Sequence, residues 1–179
     1  HHRLQLAGSL QPQRYCLYLM KPYYRPATVR DAVLVANNLR EEDRMEIEGR
    51  GFHPLALVFC VLSSDEPVAF FNSEGELCGV AGIVADEREH VGQVWMICTP
   101  AIQRNPHHLV RHAKRWLAEQ SNYRLLWNLA DARNLLHHKL LRLLGFKAIA
   151  VKPEGPYGLP YLEIVKLCAS QPPQSQRLP

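Results

Sequence analysis

The histidines are the first candidates for chemistry. His107, His108 and His112 stand in one stretch, and His108 and His112 are four residues apart, so on a helix they share a face that could hold a metal ion. No acidic residue or third ligand lies nearby in sequence, so a metal site is not expected. The same stretch carries Arg111, Lys114 and Arg115. Cationic side chains near a helix N-terminus oppose the macrodipole unless an anion is bound. The stretch reads as a solvated face, with a phosphate or nucleic-acid site as the sharper alternative. His137 and His138 could serve as bases, but burial with one ring nitrogen hydrogen-bonded is the expected state of His137. Cys98 would need a nearby base and a lowered pKa to act as a nucleophile, and reads as a buried structural thiol. Asp131 and Arg133 read as capping residues, with a substrate contact as the alternative. Glu41 to Arg50 reads as an exposed mixed-charge helix, with Met45 and Ile47 as its apolar anchors.

These groups need elements to position them. Tyr23 to Val29 is expected as an edge strand, because Pro26 cannot donate to a ladder. Thr28 or Asp31 can cap a helix to about Arg40, and His53 to Ser63 is a more apolar helix followed by a turn at Asp65-Glu66. Val68 to Phe71 and Leu77 to Val84 flank Asn72-Ser73-Glu74-Gly75, a hairpin signal, and His90 to Cys98 completes a meander. After a loop from Thr99, Asn105 and Pro106 stand in N-cap and first-helical order. That helix, to about Gln120, would bury Leu109, Ala113, Trp116 and Leu117. Tyr123 to Leu129 is expected as a buried strand, and Asn134 to Leu144 as a helix closed by Gly145. Strands at Phe146 to Val151 and Tyr161 to Leu167 flank a long turn from Pro153 to Pro160. The alternation of strand and helix in the second half implies parallel crossovers within a mixed α/β sheet.

The chain has 179 residues, enough for one domain. Residues 1–19 read as a non-native or disordered extension, 20–168 as the folded domain, and 169–179 as a disordered tail rich in Gln and Pro. No apolar run approaches the roughly 20 residues of a membrane span. The net charge is +4, but without Arg3, Arg14 and Arg177 the balance is 18 basic against 17 acidic residues. The basic character is mostly a property of the ends, and weak evidence for nucleic-acid binding. Five scattered cysteines without C-x-x-C spacing argue for reduced thiols.

The element order, with a helix ending in Leu-Gly-Phe, resembles the GNAT N-acetyltransferase fold. In that fold a Gln/Arg-x-x-Gly-x-Gly/Ala loop cradles the coenzyme A pyrophosphate with backbone N–H groups. Here the loop is Gln103-Arg104-Asn105-Pro106-His107-His108; Pro106 has no N–H and His108 adds bulk. The family's last helix has Asn, a Tyr seven residues on that protonates the departing thiolate, and Gly-Phe. Asn134 and Gly145-Phe146 keep the spacing, whereas His137 takes the usual Ala position and Leu141 replaces the Tyr. Arg25-Pro26-Ala27-Thr28, Asn38-Leu39-Arg40-Glu41-Glu42-Asp43-Arg44, Leu126-Trp127-Asn128 through Asn134, and Leu143-Leu144-Gly145-Phe146 look like the GNAT-like internal virion protein A family of podovirus-type bacteriophages. That resemblance implies a catalytically inactive protein of the virion interior or host cytoplasm. It would act through contacts with other phage virion or internal core proteins, in assembly or genome ejection. A weak DNA contact through the helix at 106–120 is a further expectation, and no cofactor is required. The alternative is an active acetyl-CoA-dependent N-acetyltransferase modifying a host or phage protein. Ile97 and Thr99 would then hold the pantetheine arm, and Arg104, Asn105, His107, His108 and Asn134 would complete the cofactor site.

Overall fold

The computed structural model describes residues 21–104 and 106–168. The expectations for residues 1–19, Asn105 and 169–179 lie outside the described residues. Strand β1 is Tyr23–Pro26, and helix α1 is Val29–Ala36. Thr28 caps α1 through a reciprocal box: its Oγ1 accepts from the Asp31 N–H at 3.2 Å, and Asp31 Oδ2 accepts from the Thr28 N–H at 2.8 Å. Arg25 donates to both Asp31 oxygens at 2.7 and 2.9 Å, which ties β1 to the helix start. Thr28→Ala removes one arm of the box and is expected to cost about 1 kcal/mol in urea unfolding; a change within error would mean that Arg25 alone holds the turn.

Helix α2 is Glu41–Gly49, helix α3 is Leu57–Ser63 after a 3₁₀ turn at Pro54–Ala56, and α1 ends at Ala36, short of the expected Arg40. Strands β2, Asp65–Phe71, and β3, Leu77–Ala85, form the expected hairpin. Asn72 Oδ1 accepts from the N–H groups of Glu74 and Glu76 at 3.0 Å each, and Gly75 takes φ +76°. Asp65 and Glu66 belong to β2 rather than to a turn, because Asp65 pairs with Ile83 across a bulge. Strand β4 is Val91–Cys98, and a 3₁₀ turn at Pro100–Gln103 leads to α4, Pro106–Glu119. Strand β5, Leu125–Asp131, is followed by α5, Leu135–Leu143, with Gly145 at φ +89° closing its end. Strands β6, Lys147–Glu154, and β7, Leu159–Leu167, extend further than expected, so their turn is only 155–158.

The sheet has seven strands in the order β1-β2-β3-β4-β5-β7-β6. β1 lies at an edge, where Pro26 is tolerated. β4 and β5 are parallel and the other pairs antiparallel. Ala32, Val35, Leu57, Val61 and Val80 form the core on the α1/α3 face, and Trp116, Leu117, Leu126, Leu141 and Ile164 the core on the α4/α5 face. In α4, Trp116 and Leu117 are buried, and Leu109 and Ala113 are half-buried, as the stripe predicts.

Candidate functional site

Parallel pairing of β4 with β5 stops early. Only Val91, Gly92 and Gln93 find partners, in Leu125, Leu126 and Trp127. Beyond them the strands part into a wedge. Asn128 reaches across its root: Nδ2 donates to the Val94 carbonyl at 2.7 Å, and Oδ1 accepts from Gln93 Nε2 at 3.1 Å. A cavity of about 370 Å³ follows the wedge, with Val94, Met96 and Leu141 on the α4/α5 side and Leu57, Trp95 and Ile97 on the α1/α3 side.

Helix α2 sits beside the wedge and presents a polar stripe. The Arg40 N–H donates to the Cys98 carbonyl at 2.9 Å, which docks the helix start on the end of β4. Arg40 Nε donates to Asp43 Oδ2 at 2.8 Å, and both side chains are buried. Burial pushes the Asp43 carboxyl up to about 6 despite the opposing Arg40 guanidinium. One turn on, Glu46 Oε2 meets His137 Nδ1 at 3.3 Å, and the Tyr161 hydroxyl donates to the Glu46 carbonyl at 2.8 Å. Burial disfavours the His137 cation, but the Glu46 carboxylate outweighs it and raises the pKa. His137 and Glu46 both line the cavity. The pair can orient an imidazole and take up a proton. Leu141 is buried among hydrocarbon. Tyr161 is pushed up to about 12, mainly by burial.

The exposed-helix reading of Glu41 to Arg50 is therefore corrected. Asp43 and Glu46 face inward, and Met45 is exposed because the buried face is polar. Arg40, Asp43 and Glu46 at three-residue spacing were the available signal, since that spacing marks one helix face. Their partner His137, and the bridging Asn128, lie far away in sequence.

Of the cofactor residues expected from sequence, Ile97, Arg104 and His108 line the cavity, whereas Thr99, His107 and Asn134 do not. The Thr99 N–H donates to the Cys78 carbonyl at 2.9 Å, and its hydroxyl to the Leu77 carbonyl at 2.7 Å. Alternation along the antiparallel ladder then turns the backbone groups of Ile97 toward β3, and those of Met96 toward the wedge. Arg104 Nη1 is engaged by Glu74 and Glu76 at 2.8 Å each. His107 is exposed, whereas His108 is half-buried and lines the cavity. Asn134 Oδ1 caps α5 by accepting the His137 N–H at 3.1 Å, while its Nδ2 is buried without a partner.

Asp131 and Arg133 do not cap α5: Asn134 takes that place, and Arg133 Nη2 meets Asp131 Oδ2 at 2.6 Å. Burial raises the thiol pKa of Cys98 well above its usual value, in keeping with a structural role. His138 Nε2 contacts the Asp131 carbonyl at 2.8 Å. Among the described residues no three His, Cys, Asp or Glu side chains form a metal-binding group, and no helix is long and apolar enough to cross a membrane.

The seven-stranded mixed sheet with its helices matches solved GNAT acetyltransferases. The GNAT-family acetyltransferase from Streptococcus pneumoniae superposes with a TM-score of 0.59 at 19% identity, covering 83% of this chain and 100% of that one. Ard1 from Thermoplasma volcanium gives 0.67 at 11% identity, covering 84% and 100%. AAC(6')-Ib, solved with ribostamycin and coenzyme A, gives 0.60 at 20% identity, covering 82% and 93%. No family model and no curated protein matches the sequence. The chain has the GNAT fold.

Proposed function

We propose that this chain is an internal virion or assembly protein of a bacteriophage, built on the GNAT fold and acting through protein contacts without acetyl transfer. The observation that carries the reading is Leu141: the helix position that supplies a proton donor in many GNAT enzymes holds a buried hydrocarbon. Arg104, tied to two carboxylates, and Pro106, without an N–H, weaken the phosphate end of the cleft in addition. The segments that resemble the phage family supply the pieces around the wedge: the Arg40–Asp43 pair, Asn128 and Asn134. The protein would reside in the virion interior or in the host cytoplasm. Its partners would be other internal proteins, with α4 offering at most a weak DNA contact through exposed Arg111 and Lys114.

One observation favours the rival, an acetyl-CoA-dependent acetyltransferase. The orphaned Asn134 Nδ2 and the wedge fit the pantetheine arm of coenzyme A, although the Glu74 and Glu76 carboxylates beside Arg104 do not fit its diphosphate. Bound acetyl-CoA would supply the acetyl thioester. The chain's own contribution would be proton uptake by His137, held by Glu46.

Calorimetry of the full chain with acetyl-CoA separates the two. The expected result is no binding at 100 µM ligand by the natural protein, with particles that contain the chain and lose infectivity or yield without it. Micromolar acetyl-CoA binding, about −8 kcal/mol, would replace the virion reading by the enzymatic one. Absence of the chain from particles, with normal yield from a phage lacking it, would overturn the virion reading.

A further inference from the structure

The geometry points to a binding site, on the α2 side of the cavity, for a small carboxylic acid with an apolar body, held by Arg50. This site depends neither on a virion role nor on acetyl transfer.

Arg50 is the C-cap residue of α2 and lines the cavity. Its Nε is buried and lacks a hydrogen-bond partner. Among the described residues no carboxylate forms an ion pair with its guanidinium. Glu46, one turn earlier on the same helix, is the natural partner by spacing, but it is committed to His137. The guanidinium lies 5.7 Å from the centre of the Phe52 ring, a contact that steadies its plane. A buried Nε–H without an acceptor, on a half-buried arginine, is an unfavourable arrangement, and an anion entering the cavity removes it.

The neighbours define the anion. Glu46 and Asp43 lie on the same helix, so a ligand of charge near −2 meets more repulsion than a monoanion. A carboxylate also matches the planar fork of the guanidinium with two parallel hydrogen bonds. Much of the nearby wall is hydrocarbon, with Glu46 and His137 as polar neighbours. Cys60, whose thiol senses the Arg50 charge, packs with Leu57, Trp95 and Ile97 on this face. A volume of about 370 Å³ is in the range of small-molecule sites. Fork, single charge and apolar wall together select an aliphatic or aromatic monocarboxylate.

The test is calorimetry on the full chain with octanoate, octanamide and octyl phosphate, which share one apolar body. Octanoate is expected to bind in the submillimolar range, and octanamide and octyl phosphate at least about tenfold more weakly. Arg50→Gln should lose about tenfold in octanoate affinity, and Arg50→Lys less, since it keeps the charge but not the fork. The exposed Arg142→Gln change should leave binding as it was. The proposal is overturned if octanoate fails to bind at 5 mM, if octanamide or octyl phosphate equals it, or if a folded Arg50→Gln protein binds unchanged. Should Arg50→Gln fail to fold, the ligand series on the natural protein and on Arg50→Lys decides alone.

Discussion

Replacing Arg40 by leucine is expected to lower the stability of the folded protein by about 3–5 kcal/mol at pH 8, the cost of leaving a buried charge without its partner. The Arg40 and Asp43 side chains are only 10% and 4% exposed, so water cannot take over when the guanidinium is removed. The loss should shrink at pH 5, because Asp43, already pushed up to about 6 with Arg40 present, rises further without it and enters the fold as the neutral acid. Chemical unfolding at the two pH values measures both effects. A loss below 1 kcal/mol at pH 8 would mean that α2 does not carry a buried ion pair.

The second large effect is on the pH dependence of the natural protein, which should be more stable near pH 5 than near pH 8. Asp43 has a folded pKa of about 6 against an ordinary 3.8, so the native state holds the proton more tightly than the unfolded chain. Its contribution falls as pH rises between those values, by up to about 3 kcal/mol. His137 is raised in the fold, so its contribution is present below 6.5 and disappears as pH climbs through its folded value. Both therefore act in the same direction. Asp31 and Asp131 are depressed by Arg25 and Arg133 against the opposing cost of burial, and their contributions fade only as pH drops below the ordinary carboxylate range. Thermal unfolding from pH 4.5 to 8 should show a declining midpoint, and Asp43→Asn should flatten the lower part of that decline. A midpoint that rises over this range would contradict the burial of Asp43.

The parts legible in the sequence were those written by local chemistry. Asn72 and Gly75 announced the hairpin, Thr28 and Asp31 the start of α1, and Gly145 the end of α5, because each works through contacts within a few residues. Alternation of elements gave a mixed sheet with parallel crossovers, but not the insertion of β7 between β5 and β6, which leaves β4 and β5 as the one parallel pair among the described strands. What was illegible depended on distant partners. Helix α2 looks solvated because charged residues usually face water, and only the fold brings His137 and Tyr161 to the Asp43–Glu46 side. The partnerless Nδ2 of Asn134 and Nε of Arg50 leave no trace in a one-dimensional pattern. The register that turns Met96 rather than Ile97 toward the wedge depends on how β3 pairs with β4.

The short seam between β4 and β5 has a mechanical consequence. Three residue pairs, the His90 carbonyl that accepts from the Arg124 and Leu125 N–H groups, and the Asn128 side-chain bridge link a four-strand leaf to a three-strand leaf. Hydrophobic burial across the α4/α5 face holds the leaves together, but burial is non-directional and permits small rotations that a continuous ladder forbids. The two leaves are expected to behave as cooperative units that loosen first at their junction, which amide exchange along β4 and β5 would measure. Whatever occupies the wedge, pantetheine, a fatty acid or a partner's segment, would act as a spline between them, and its grip would register as slower amide exchange along both lips.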